Sequence, residues 1–142
     1  CEQVLEHLTA VRPAIEDLVR VLKPGGLLIV GVPIFPEGLH MVRKHVVPVT
    51  DRVFKVKKIR GHVQAWSLRT FLREFRDLPN LQIQERRGFR IVSGGVLRPL
   101  EFTRAWWKLN RFIGKIVPSL CTEVQIKCRK TASVAQNRAR AA

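Results

Sequence analysis

The sequence predicts an α/β fold whose last strand runs antiparallel to its neighbour. Three observations carry this. An amphipathic segment ends at Leu22, Pro24-Gly25-Gly26 breaks it, and a short apolar run from Leu27 to Val32 follows. Leu68, Phe71, Leu72 and Phe75 recur at helical spacing. Near the other end, Val124, Ile126 and Cys128 alternate with Glu123, Gln125, Lys127 and Arg129. Helix, tight turn and buried strand make half of a parallel-sheet unit. A run as short and apolar as Leu27 to Val32 suits a strand covered on both faces. Strict alternation suits a strand with one wet face.

Taken in order, Val11, Ile15, Leu18 and Leu22 trace one helical face and predict a helix over 10–22. Thr9 is placed to cap it, and Lys23 suits its negative end. The glycines supply the positive φ of a sharp reversal before a strand at 27–32. Residues 34–66 are irregular, with Pro36, Gly38, Pro48 and Gly61. A structureless stretch of that length is unusual in a compact domain, so it reads as a lid with a short helix or as disorder. Within it, residues 52–60 alternate in part and suit a short strand or an extended edge. Ser67 reads as the N-cap of a helix over 68–77, which Pro79-Asn80 ends. A strand is expected over 81–92, bent at Arg86-Arg87-Gly88, and Ser93-Gly94-Gly95 as a turn. A helix over 101–116 follows, with Phe102, Trp106, Leu109, Ile113 and Ile116 on one face. Arg104, Lys108, Arg111 and Lys115 form a basic stripe on another, which suits a solvated surface or a membrane surface. The final strand is expected over 122–130, adjacent and antiparallel to the one before it.

The 142 residues carry a formal net charge of +15. The charge is uneven: residues 1–40 hold three basic and five acidic side chains, and residues 41–142 hold 23 basic and six acidic. Such a field draws polyanions, acidic membrane surfaces or an anionic substrate. Aromatics are 7% with no Tyr, which argues against a single-strand nucleic-acid platform. No apolar run approaches the roughly 20 residues needed to span a bilayer. Position 1 is Cys, with no basic leader and apolar stretch behind it, so the chain reads as opening inside a longer protein. Cys1, Cys121 and Cys128 form neither a CxxC nor a zinc set. They read as reduced thiols in a cytoplasmic protein. Residues 131–142 lack an apolar face and read as a disordered basic tail.

Among chemistry-bearing residues, Glu6 and His7 stand out. With a strand ahead of Cys1, they would sit on the loop above its carboxyl end, where open α/β sheets form their crevice. His near neutrality can move a proton, although a pair that only caps and packs fits equally. There is no GxSxG and no phosphate loop.

Val4-Leu5-Glu6-His7-Leu8, followed by Arg20-Val21-Leu22-Lys23-Pro24-Gly25-Gly26-Leu27-Leu28-Ile29 and Pro33, resembles the class I S-adenosylmethionine-dependent methyltransferases of small-molecule type. Gly61-His62-Val63 and Gly88-Phe89 resemble further short stretches of that family. The resemblance covers about residues 1–130 and implies the C-terminal part of a partial Rossmann-like sheet. It implies S-adenosyl-L-methionine as cofactor, with Glu6, His7 and Leu8 bordering it and Glu6 and His7 catalytic. It implies a small-molecule or lipid-like acceptor under a lid at 34–66, touched by His40, His45, His62 and Trp66. The family's glycine-rich loop and ribose-binding acid would lie upstream of Cys1. Residues 1–142 alone are therefore expected neither to bind cofactor nor to act. Two other readings stand beside this one. The first is a basic module for nucleic acid or acidic membrane, peripheral at the bilayer. The second is a non-catalytic methyltransferase-like protein.

Overall fold

A computed structural model describes residues 1–46, 49, 53, 63–91 and 95–131. The chain begins as an extended segment beside strand β1 (Leu27–Pro33) in the parallel sense, with Glu2 opposite Gly31. The Gln3 N–H donates to the Gly31 carbonyl at 3.0 Å, and the Gly31 N–H donates to the Cys1 carbonyl at 3.0 Å. A 3-10 turn, Leu5–His7, leads to helix α1 (Val11–Val21). Val11, Ile15 and Val19 are its buried residues, as the four-residue spacing requires. Thr9 does not cap it: the N-cap is Ala10, with no side-chain cap.

The turn into β1 forms as expected. Gly25 has φ +80, a conformation that side chains with a Cβ rarely adopt. Its N–H donates to the Lys130 carbonyl at 2.7 Å, and the Lys130 N–H returns to the Gly26 carbonyl at 2.9 Å. The first turn of the chain is thus tied to the last strand.

The sheet orders its strands β1-β3-β2, where β2 is Leu81–Phe89 and β3 is Glu123–Lys130. Central β3 pairs antiparallel with both neighbours. This is an α/β fold with the last strand beside and antiparallel to the one before it. The expected parallel character is reduced, among the described residues, to two bridges, Glu2–Gly31 and Ile34–Trp66. Leu28, Cys128 and Ile83 line up across the sheet, as do Val32, Val124 and Gly88.

That face carries the core. Leu28, Val30, Val32, Val124, Ile126 and Cys128 pack with Ile15 and Val19 of α1 and with Trp66, Phe71 and Phe75. The opposite face of β1 stays open, with Leu27 43% and Ile29 47% exposed. Strand β1 is therefore covered on one face, and the expectation of two covered faces is corrected. Its apolar run reads alike in either case, since Leu27 and Ile29 show no polar marker of exposure.

Helix α2 (Leu39–Met41) runs into a wider π-helical turn, Val42–Val46, inside the irregular stretch. The strand expected at 52–60 lies outside the described residues apart from Val53, as do residues 132–142 of the tail. Helix α3 (Leu68–Arg73) has the N-cap expected at Ser67, whose side chain accepts from the Thr70 N–H. The Thr70 hydroxyl in turn accepts from the Ser67 N–H at 2.9 Å, closing a capping box. The helix ends short of 77, and Asp77 and Asn80 take left-handed φ values of 61 and 59 before the next strand. Trp66, Phe71 and Phe75 pack at successive centroid distances of 5.3 Å, the first pair tilted and the second edge to face.

Strand β2 departs from expectation in two ways. Its irregularity is a register shift between Ile83 and Glu85, not a bend at 86–88, and it ends at Phe89. Gly88 remains in the strand because helix α4 (Arg104–Ile116) presses onto it: a Cβ at Gly114 would overlap the Gly88 carbonyl. Helix α4 starts later than expected. Gly95–Phe102 forms a 3-10 segment containing Pro99, and the Thr103 side chain then accepts from the Trp106 N–H at 3.3 Å. Among the described residues, no helix is long and apolar enough to cross a membrane.

Candidate functional site

The Leu5–His7 turn points its two ionisable side chains in different directions. The Glu6 side chain is fully buried and that of His7 is 45% exposed, with His7 Nε2 3.8 Å from Glu6 Oε1. The Glu6 carbonyl accepts from the N–H groups of Val63 at 2.8 Å and Gln64 at 3.0 Å. The Gln64 side-chain amide donates to the Leu8 carbonyl at 2.8 Å. Two residues on, Trp66 faces Ile34 just past β1, and the Phe35 N–H donates to the Trp66 carbonyl at 2.8 Å. The 63–66 segment therefore binds the Glu6 turn to the carboxyl end of β1. Glu6, Leu8, Gln64 and Trp66 meet there, in the position where open α/β sheets form a crevice.

Among the described residues, neither carboxylate oxygen of Glu6 has a hydrogen-bond partner. Buried polar groups are nearly always satisfied, and an ionised carboxylate left without donors is costly. The 3.8 Å approach of His7 is within ion-pair range and too long for a hydrogen bond.

The remaining sequence candidates fall as follows. His40, in α2 beyond β1, is buried; its Nδ1 has no hydrogen-bond partner and lies 3.8 Å from Glu37 Oε2. His45 is exposed on the π-helical turn. His62 lies outside the described residues. Trp66 is 4% exposed and its ring joins the core against Phe71. Leu8 is half-buried against the core and lends the site its carbonyl. Gln64 was not singled out by the sequence. A lone amide in an irregular loop has no periodicity to mark it, and only its place between Gly61-His62-Val63 and Trp66 hinted at a role.

No family model matches the chain, and no curated protein matches it. Among solved structures, it is similar to a chain in the complex between the Haloferax volcanii Trm112 methyltransferase activator and a candidate methyltransferase. The identity is 14%, the TM-score 0.48, and the match covers 93% of this chain and 52% of that one. This chain thus spans about half the length of that neighbour.

Two features lie apart from the Glu6 site. A cleft of about 500 Å³ opens on the other face of the sheet, walled by Glu2, Gly31, Gln125, Trp106 and Arg111, and Glu6 is not in its wall. The buried thiols of Cys121 and Cys128 are both pushed up by desolvation, Cys128 to about 11. Among the described residues, no three His, Cys, Asp or Glu side chains gather to hold a metal.

Proposed function

We propose that the chain supplies the C-terminal part of an S-adenosyl-L-methionine-dependent methyltransferase domain acting on a small or lipid-like acceptor. The observation that carries this is the Glu6 carboxylate, fully buried at the carboxyl end of β1 with no hydrogen-bond partner among the described residues. A buried carboxylate without donors has lone pairs to offer a cationic ligand, and the cofactor carries both an ammonium and a sulfonium. When bound, it supplies a methyl group held on that sulfonium.

The chain's own residues would do the rest. Glu6 would offer its charge and lone pairs to the cationic ligand or to the acceptor's proton. His7, partly in water and 3.8 Å from Glu6, is placed to take or return that proton. The 63–66 segment fixes the Glu6 turn through two backbone hydrogen bonds, so the carboxylate is oriented before a ligand arrives. The parallel pairing of Glu2 with Gly31 supports the same reading, because it sets the Glu6 turn at the end of a parallel pair. Contact with an acidic membrane accompanies the lipid-like acceptor.

Calorimetry with S-adenosyl-L-methionine tests the proposal on two forms, residues 1–142 and a form extended by the coding region upstream of Cys1. Binding is expected only in the extended form. Each unmatched contact costs about 1–3 kcal/mol, so losing two or three weakens binding by about 10²–10⁵-fold. No binding by the extended form would refute the assignment. Micromolar binding by residues 1–142 would refute the division of the site.

A further inference from the structure

Helix α4 has three sides, and among the described residues one of them is packed against the protein, while Arg111 of a second also borders the sheet cleft. At about 100° per residue, Trp106, Asn110, Ile113 and Gly114 share the inward side, where they are half-buried or buried. Arg104, Lys108, Arg111 and Lys115 form a second sector, all exposed. Next to it lies a third, with Leu109 46%, Phe112 64% and Ile116 60% exposed. The sequence alone places Leu109 and Ile116 on one face with Phe102, Trp106 and Ile113. The structure turns them to solvent, because the close approach of Gly114 to Gly88 fixes the roll of the helix. The 13 residues of α4 include no acidic side chain, and among the described residues no ion pair involves Arg104, Lys108 or Lys115.

We propose that this outer side of α4 seats on an anionic bilayer surface, the basic sector meeting lipid headgroups and Leu109, Phe112 and Ile116 entering the acyl boundary. An interfacial helix needs both sectors side by side along one axis. Nucleic acid would engage the four cations and leave the apolar sector in water. A second copy of the chain, packed face to face, would set four cations against four. An anionic bilayer satisfies both sectors at once. The proposal deepens the lipid side of the function proposed above and rests on it for biological purpose, yet the binding itself requires neither cofactor nor transfer.

The test is co-sedimentation of the chain with vesicles of phosphatidylcholine plus phosphatidylserine, and with phosphatidylcholine alone. Binding is expected to the mixed vesicles only. Each cation near an anionic surface contributes about a fivefold factor. The double variant Lys108→Glu, Lys115→Glu removes two cations and adds two anions, and should therefore lose about 25-fold to several hundredfold in partitioning. Leu109→Asn with Phe112→Asn should lose about tenfold or more through apolar contact alone. All four positions are exposed, and far-UV circular dichroism checks that each variant keeps its fold. A control, Arg69→Glu with Arg73→Glu on α3, makes the same charge change elsewhere and should lose little. Four results would overturn the proposal: no binding to mixed vesicles, equal loss in the α3 control, indifference to the Leu109 and Phe112 changes, or tighter binding to duplex DNA than to vesicles. None of these touches the calorimetric test of cofactor binding, so the two proposals fail separately.

Discussion

The Lys130 ammonium closes the carboxyl end of helix α1, donating to the Val19 carbonyl at 2.7 Å across 111 residues of sequence. It also donates to the carbonyls of Leu22 at 2.8 Å and Arg20 at 3.3 Å. The last four carbonyls of a helix lack intrahelical partners, and the negative end of its dipole favours a cation. The sequence offers Lys23 for this role by proximity; the structure gives it to Lys130. One side chain thereby links the first helix to the final strand.

Lys130→Met should cost about 1.5–3 kcal/mol, the range for hydrogen bonds to a charged group. Lys127→Met, three residues earlier and on the opposite face of the same strand, should cost little. Urea unfolding of both variants provides the comparison. Equal midpoints would show that the cap contributes nothing to stability.

Cys128 makes stability depend on alkaline pH. Burial raises its thiol from 9.0 to about 11 in the folded chain. Between those values the folded chain keeps a proton that the unfolded chain gives up. The contribution is therefore complete below pH 9 and is lost as pH rises through about 11. Titration between 9.0 and about 11 makes this worth about 2–3 kcal/mol. Cys128→Ala should flatten the fall in stability across that window, whatever it costs at neutral pH. A thiol reagent at pH 8 should label Cys1, which is exposed, and leave buried Cys121 and Cys128 unmodified until the chain unfolds. An unchanged pH slope in the variant would remove the argument.

What could be read in advance follows from how local each signal is. Helix α1, the Gly25 turn, the Ser67 cap and the alternation of β3 are set by neighbouring residues, and each formed near its expected place. Features set by distant contacts were not legible. Nothing near Leu27 or Ile29 in sequence shows that one sheet face lacks a cover. The roll of α4 is set by a glycine on another element, so Leu109 and Ile116 could not be assigned from spacing alone. At the candidate site the Glu6-His7 pair was visible as a motif. Its division into one buried and one exposed group depends on the 63–66 segment, about 60 residues away, and so did not show.

Glu6 invites the most direct separation of stability from function. Its carboxylate is fully buried, and among the described residues neither oxygen has a hydrogen-bond partner. Its backbone is held independently, through a carbonyl that accepts from Val63 and Gln64. A side-chain change therefore leaves that anchorage in place. Replacing a buried, unsatisfied polar group by an apolar one of similar volume is often neutral or stabilising. Glu6→Leu should accordingly leave the thermal midpoint of residues 1–142 unchanged or raise it, with a gain of about 1–3 kcal/mol at most. In a form that binds cofactor, the same change should remove most of the affinity for S-adenosyl-L-methionine or most of the transfer rate. Sites kept for function are commonly less stable than they could be, and that pairing of effects is what distinguishes a functional carboxylate from a structural one. His7→Gln supplies the companion measurement, keeping polarity while removing the titratable ring. It should lower the transfer rate with little effect on the melt. If Glu6→Leu instead destabilises residues 1–142 by more than about 1 kcal/mol, the carboxylate is serving the fold, and the site proposed at the carboxyl end of β1 loses its central group.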